Sequence, residues 1–153
     1  MSKQKTSKRQ SDDMQLRQLH RLFGWSSLLL WLIFGTCLEI FHGFKISDYL
    51  LDELRREFWS LAHFHGVAFG IINLIYVKWA DAEELSSCER KLASQLLIWG
   101  GLLMPVGFLL GGAWHFEGDP GVGIFLAPIG AIMVLGLAGL QTRAAWKGFR
   151  QKR

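Results

Sequence analysis

Apolar residues along the chain are gathered into four long blocks that are separated by polar segments. The blocks cover about residues 22–42, 59–79, 95–114 and 122–142. Each is close to the ~20 residues that an α-helix needs to cross the hydrocarbon core of a bilayer. A soluble core could hardly use four such blocks in a chain of 153 residues. The pattern therefore predicts an all-α, polytopic membrane protein built as a bundle of four transmembrane helices.

The segments outside residues 22–142 predict three smaller parts. Residues 1–21 hold few apolar side chains and are expected to form a disordered basic leader, and residues 143–153 form a basic tail. Between the first two spans, the sequence SDYLLDELRREF (47–58) alternates charges with apolar residues at helical spacing. That spacing is typical of a short amphipathic helix on the outer membrane surface. Ser47 is its expected N-cap, and Asp52 is expected to pair with Arg56.

Basic residues predict the orientation of these spans. Of the 17 Lys and Arg residues, fourteen lie in the leader, the tail and the loop after the second span, and three lie in the loop after the first. Because cytoplasmic loops carry the excess of Lys and Arg, both termini are expected in the cytoplasm, in a bacterial cytoplasmic membrane. Anionic lipid headgroups account for the formal net charge of +4, so a nucleic-acid partner is not expected.

Ionisable residues inside or beside the spans concentrate at one depth. At 1.5 Å per residue, six of them fall within an outer layer about 10 Å thick. They are Glu39, His42, His63, His65, His115 and Glu117. Since such side chains are unfavourable in hydrocarbon, several at one level indicate a site, with Glu39, His42 and His115 as candidate metal ligands. His20 stands apart, at the inner edge of the first span.

Two histidines of the second span face in nearly opposite directions. His63 and His65 are two residues apart, which corresponds to about 200° of rotation around an α-helix. His63 shares a stripe with Gly66 and Gly70, a bare surface on which a flat ring or another helix could lie. His65 shares its stripe with Phe69. Neutral imidazole is a common ligand of haem iron, copper and zinc, so both histidines are candidate cofactor ligands.

The stretch Leu61-Ala62-His63-Phe64-His65 resembles the Ala-His-Phe-His helix of subunit one of the haem-copper oxidases. In that family the two histidines bind different haems on opposite sides of one helix. The resemblance covers about twenty residues, and it implies a haem b site. His63 would match the high-spin ligand and His65 the low-spin ligand, and Arg55 and Arg56 could bind haem propionates. The family's copper-binding histidines and its further spans have no counterpart here, so oxygen reduction is not implied.

Other interpretations of the same residues remain open. His63 and His65 could hydrogen-bond to Glu39 or to the backbone and join the helices, as polar side chains often do in membranes. Asn73, deep in the second span, is expected to make an interhelical hydrogen bond. Glu39-x-x-His42 is also the pattern of carboxylate-bridged di-iron sites, although one chain supplies a single copy and a homodimer would be needed.

Three functions are consistent with this pattern. The first is a small membrane protein that binds haem or a metal near the outer face, for electron transfer or cofactor handling. The second is a non-catalytic accessory or assembly subunit of a larger membrane complex, with structural histidines. The third is a homodimeric transporter in which Glu39 couples to protons. The outer position of Glu39, away from mid-membrane, disfavours the third. The sequence shows no nucleophile–base motif, and enzymatic activity is not inferred from it.

Overall fold

The computed structural model describes residues 2–79, 85–116 and 118–151, with the backbone alone described for residues 2–10, 12 and 79. Glu117 of the predicted outer layer lies outside these ranges. The helices are α1 (Ser2–Gly43), α2 (Ser47–Leu50), α3 (Glu53–Trp79), α4 (Ser87–Ala113) and α5 (Leu126–Gln151), with a 3-10 turn at Val122–Phe125 before α5. The predicted all-α architecture is confirmed.

Four of these helical segments are long and apolar enough to cross a membrane. They are Asp13–Gly43, Glu53–Lys78, Ser87–Ala113 and Val122–Gln151. Each contains most or all of one predicted span and extends beyond it, because helices continue past the hydrocarbon where polar side chains are solvated. The chain is therefore a multi-pass membrane protein with a four-helix bundle. We call the bundle end that carries residues 44–52 and 114–121 the outer end, following the predicted orientation.

Packing follows the order of the chain. α1 packs against α3, α3 against α4, and α4 against α5, whereas α1 meets α4 at few positions. Within the described residues, α1 and α5 are not in contact. α3 and α4 are therefore the central helices, and α1 and α5 are the edges of the bundle.

Glycine allows two of these helix pairs to approach closely. A side chain at Gly66 would overlap the ring of Trp31, so the bare stripe beside His63 is occupied by α1. A side chain at Gly107 would meet the backbone of Ala127 on α5. Of the two occupants expected for the Gly66 stripe, a flat ring or a second helix, the structure contains the helix.

The segment predicted to be a disordered leader is helical in the structure. α1 begins at Ser2 and continues into the first span. Extending an existing helix adds hydrogen bonds without a new nucleation step. Tertiary contacts also hold its inner part. The carboxylate of Asp13 lies 3.6 Å from Nη1 of Arg90, and His20 is 1% exposed.

The segment 47–58 forms two helices instead of one. α2 ends at Leu50, and α3 begins at Glu53. The break is explained by Asp52, whose Oδ1 accepts a hydrogen bond from the Arg55 amide at 2.9 Å, as an N-cap carboxylate does. Ser47 is not the N-cap of α2, a position taken by Ile46. The expected pair between Asp52 and Arg56 is also wrong, since Asp52 lies 3.4 Å from the Arg55 guanidinium.

Candidate functional site

The packing of α1, α3 and α4 separates the predicted outer layer into three environments. Glu39, His42 and His63 line one groove on the α1–α3 side. His65 lies on the opposite side of α3, against aromatic rings. His115 lies beyond the end of α4 and is bonded to Asp52. Shared depth along the membrane normal thus corresponds to three separate neighbourhoods around the helices.

The groove on the α1–α3 side is a cavity that contains three of the predicted site residues. It has a volume of about 360 Å³. Its polar walls come from α1, α2 and α3, and they are Thr36, Glu39, His42, Tyr49, Ser60 and His63. Leu32, Gly35 and Leu38 complete it. A cavity that combines a carboxylate, two imidazoles and three hydroxyls with apolar walls is suited to a ligand with both polar and apolar parts. We refer to it as the outer groove.

His63 has a fixed tautomer in the outer groove. Its Nδ1 lies 2.7 Å from the carbonyl oxygen of Trp31. Because a carbonyl can only accept, Nδ1 carries the proton and Nε2 of the neutral ring has a lone pair. Gly35 leaves the space that this ring occupies, since a side chain there would overlap Cε1, Nδ1 and Nε2 of the ring. Metal-ligating histidines commonly donate their other ring N–H to a carbonyl oxygen in this way.

His42, at the rim of the outer groove, also donates a hydrogen bond from Nδ1 to a backbone carbonyl. Its Nδ1 donates to the carbonyl of Leu38, one turn earlier in α1, at 3.0 Å. Its ring meets Tyr49 edge to face, with ring centroids 5.0 Å apart. His42 and Glu39 are both exposed, so the groove is open along this side.

Tyr49 contributes a buried donor to the wall of the outer groove. The residue is 3% exposed, and its hydroxyl has no hydrogen-bond partner among the described residues. Burial raises the pKa of Tyr49 above its usual value, so the hydroxyl stays protonated at neutral pH. The Ser60 hydroxyl of the same wall interacts with it, and a polar ligand in the groove would add a hydrogen bond.

His65 is packed within the bundle. Its Nδ1 donates to the carbonyl of Leu61 at 2.8 Å, and its ring stacks on Phe108 with centroids 5.0 Å apart. Phe69 lies on the same side, at 6.4 Å. The two histidines do face different helices, as their spacing predicts, but the side of α3 that holds His65 is filled by aromatic side chains.

A second polar cluster joins the start of α3 to the end of α4. Nε2 of His115 lies 2.8 Å from Oδ2 of Asp52, and Nε of Arg55 donates to the carbonyl of Gly112 at 3.3 Å. Partial burial alone would raise the pKa of Asp52, but bonds from the Arg55 amide and His115, with the charges of both side chains, hold it below its usual range. Arg56 is bonded to the carbonyl of Leu50.

The three predicted metal ligands do not form one set. Glu39 and His42 line the outer groove, whereas His115 is bonded to Asp52. Within the described ranges, no group of three or more His, Cys, Asp or Glu side chains is placed to hold a metal ion. Arg55 and Arg56, the predicted propionate ligands, both donate to backbone carbonyls at the outer end. Arg55 lies on the α4 side, and Arg56 lies beside α2.

The most buried histidine is His20, which sequence reasoning set apart. Asn73 donates its amide to the carbonyl of Phe69 at 2.8 Å, so its oxygen accepts from Nδ1 of His20 at 2.6 Å. Nε2 of His20 then accepts from the Ser94 hydroxyl at 2.8 Å. One ring therefore joins α1, α3 and α4, and the prediction that Asn73 makes an interhelical hydrogen bond is confirmed.

A Ser–His–Asn sequence of hydrogen bonds is also found in nucleophilic enzymes. Here Ser94 and Asn73 are both 0% exposed, so a substrate has no route to the hydroxyl. We assign this network to structure. In the sequence, three of the spans each carry one polar residue near their inner third. The sequence alone does not show that these three residues meet in the bundle.

Comparisons of the chain with protein-family models, with curated proteins and with solved structures found no match. The geometry of the outer groove and of the inner network is therefore the basis for inferring function.

Proposed function

We propose that this membrane protein binds a haem, or a similar imidazole-ligated metal cofactor, in the outer groove, with His63 as the protein ligand. The observation that carries the proposal is the hydrogen bond from Nδ1 of His63 to the Trp31 carbonyl at 2.7 Å. It leaves the Nε2 lone pair for a ligand, at the edge of a cavity of about 360 Å³. A bound haem would supply one-electron chemistry near the outer face.

The donor set suits a cofactor that takes one axial ligand from the chain. A bare metal ion needs several protein ligands, and no described cluster of three provides them. Haem iron is already held by its macrocycle, so a single imidazole suffices. The Tyr49 hydroxyl and the Glu39 carboxylate would contact polar edges of the ligand. Arg56, beside α2, is the arginine on the groove side.

The test is an absorption spectrum of the full-length protein, purified in detergent from haem-replete cells. We expect a Soret band in the wild-type protein and its loss in His63→Ala. His65→Ala is the matched control, because it removes an imidazole two residues away that stacks inside the bundle. It should keep the band and lower the unfolding temperature.

A second variant changes the surroundings of His63 and leaves the histidine itself in place. Gly35→Ala places a methyl group where the His63 ring lies, so it should weaken or shift the Soret band. The proposal is wrong if folded wild-type protein is colourless and stays so after haemin is added. Equal loss of the band in His63→Ala and His65→Ala would also contradict the assignment of His63 alone.

A second candidate function is that of a non-catalytic subunit of a larger membrane complex or of a homodimer. It is favoured by the hydrogen bonds of His20 and His65 inside the bundle and of His115 at its outer end, which suit structural roles. It predicts colourless protein that co-purifies with partner chains, and mild effects of His63→Gln. The same purification and spectrum separate the two candidates.

The proposed location is the cytoplasmic membrane of a bacterium, with both termini in the cytoplasm. The distribution of Lys and Arg supports this orientation. It would place the outer groove near the external face.

A further inference from the structure

A second cavity lies at the inner end of the bundle, far along α1 from the outer groove. Its walls come from α1, α3 and α4, and they are Asp13, Leu16, Arg17, His20, Tyr76, Val77 and Arg90. The enclosed part has a volume of about 20 Å³, which is close to the space that one water molecule needs. We call it the inner cavity. Its size admits a small polar group, with the rest of a ligand remaining outside.

Arg90 is the unusual residue of the inner cavity. It is 9% exposed, although arginine is seldom this buried without a partner. Its Nη1 lies 3.6 Å from Oδ2 of Asp13, which is an ion pair but longer than a hydrogen bond. Nε and Nη2 of Arg90 have no hydrogen-bond partner among the described residues. A buried guanidinium with unsatisfied N–H groups is strongly unfavourable.

The two unpartnered nitrogens define the kind of ligand that would satisfy them. Nε and Nη2 form one edge of the planar guanidinium, and their N–H groups point in parallel. That edge matches two oxygens of a phosphate or carboxylate. His20 cannot take this role, because both of its ring nitrogens are already bonded to Asn73 and Ser94.

The described lining of the inner cavity carries both signs of charge. Arg17 and Arg90 are positive, and Asp13 is negative. The cavity lies at the bundle end that carries most of the basic residues, where anionic phospholipid headgroups accumulate in the predicted orientation. A phosphate group could insert one pair of oxygens while the remainder of a headgroup stayed at the surface.

We propose that the edge of Arg90 formed by Nε and Nη2 binds one phosphate group at the inner end. The group belongs either to an anionic phospholipid or to free phosphate. Asp13 competes with it for the guanidinium and sets the affinity.

The experiment measures phospholipid bound to the full-length protein in detergent, by native mass spectrometry with phosphatidylglycerol as the probe. We expect wild-type protein to retain one lipid molecule and Arg90→Gln to bind it at least about tenfold more weakly. Lys147→Gln is the matched control, since it removes one positive charge from an exposed position on α5. Its affinity should remain close to that of the wild type.

Two further variants distinguish binding from a structural ion pair. Arg90→Lys keeps the charge and loses the parallel pair of N–H groups, so it should bind more weakly even if Arg90→Gln fails to fold. Asp13→Asn removes the competing carboxylate and should bind the lipid more tightly, whereas a purely structural role for this pair predicts no gain in affinity.

A competition arm identifies the source of the phosphate. If inorganic phosphate binds with the same dependence on Arg90 and phosphatidylglycerol does not displace it, the ligand is free phosphate. If the lipid binds and millimolar inorganic phosphate does not displace it, the ligand is the lipid. Equal retention of both probes by wild type, Arg90→Gln and Arg90→Lys would overturn the proposal.

Discussion

At the scale of single residues, the histidines of this protein differ mainly in what their second nitrogen does. His63, His42 and His65 donate from Nδ1 to a backbone carbonyl, and of these His63 and His42 line the outer groove. His20 uses both nitrogens inside the bundle. Its two bonds join three helices, whereas the proposed ligand His63 makes one hydrogen bond through its ring.

The His20 network should be a measurable part of stability. His20→Ala leaves Asn73 and Ser94 buried without their partner, so we expect the free energy of unfolding to fall by about 1–3 kcal/mol. Thermal unfolding in detergent, followed by circular dichroism, measures the change. His42→Ala is the control, because its exposed ring bonds within its own helix and contacts only Tyr49 beyond it, so it should lower the unfolding temperature less than His20→Ala. An unchanged unfolding temperature in His20→Ala would show that the network is dispensable.

At this scale, the sequence predicted the interhelical hydrogen bond of Asn73 but not its partner, His20. An apolar span with one buried amide predicts an interhelical hydrogen bond, and that bond is present. Periodicity shows which residues share a face of one helix, but it does not show which faces of different helices meet. His20 was therefore left apart, and His115 was grouped with Glu39 on depth alone.

At the scale of elements, Asp52 organises the outer end. It accepts the amide of Arg55 at the start of α3 and the imidazole of His115 after α4. The apolar spacing of residues 47–58 continues smoothly across this position, so the sequence predicted one helix there. The capping bond to the Arg55 amide is local, whereas the contact with His115 depends on the tertiary fold.

The pKa of Asp52 predicts acid sensitivity. Because this pKa is lower in the folded protein than in the unfolded chain, the carboxylate stabilises the fold above about pH 4. The stabilisation is lost as the pH falls through the lowered value. Unfolding temperatures measured from pH 6 to pH 3 should fall more steeply for wild type than for Asp52→Asn. Parallel curves for the two proteins would contradict this role.

At the scale of the whole molecule, the four long helices were predictable because their apolar blocks match the bilayer. Their order in space was not predictable, since any of several bundles could bury the same small residues. The structure places α3 and α4 at the centre and α1 and α5 at the edges.

The orientation can be tested with the two native cysteines. Cys88 is exposed near the start of α4, and Cys37 lies within the first span. A membrane-impermeant maleimide should label Cys88 in inside-out vesicles and leave it unlabelled in right-side-out vesicles. Cys88→Ser should abolish the signal and Cys37→Ser should keep it. Labelling from the external side would invert the orientation and place the outer groove near the cytoplasm.

The neighbour-by-neighbour packing also bears on biogenesis. Each long helix docks on the one synthesised before it, so a nascent chain leaving the translocon can assemble in the order in which it is made. The outer groove takes its walls from α1, α2 and α3, and the inner cavity from α1, α3 and α4. No described residue of either wall comes from α5, so neither cavity needs the last helix in order to form.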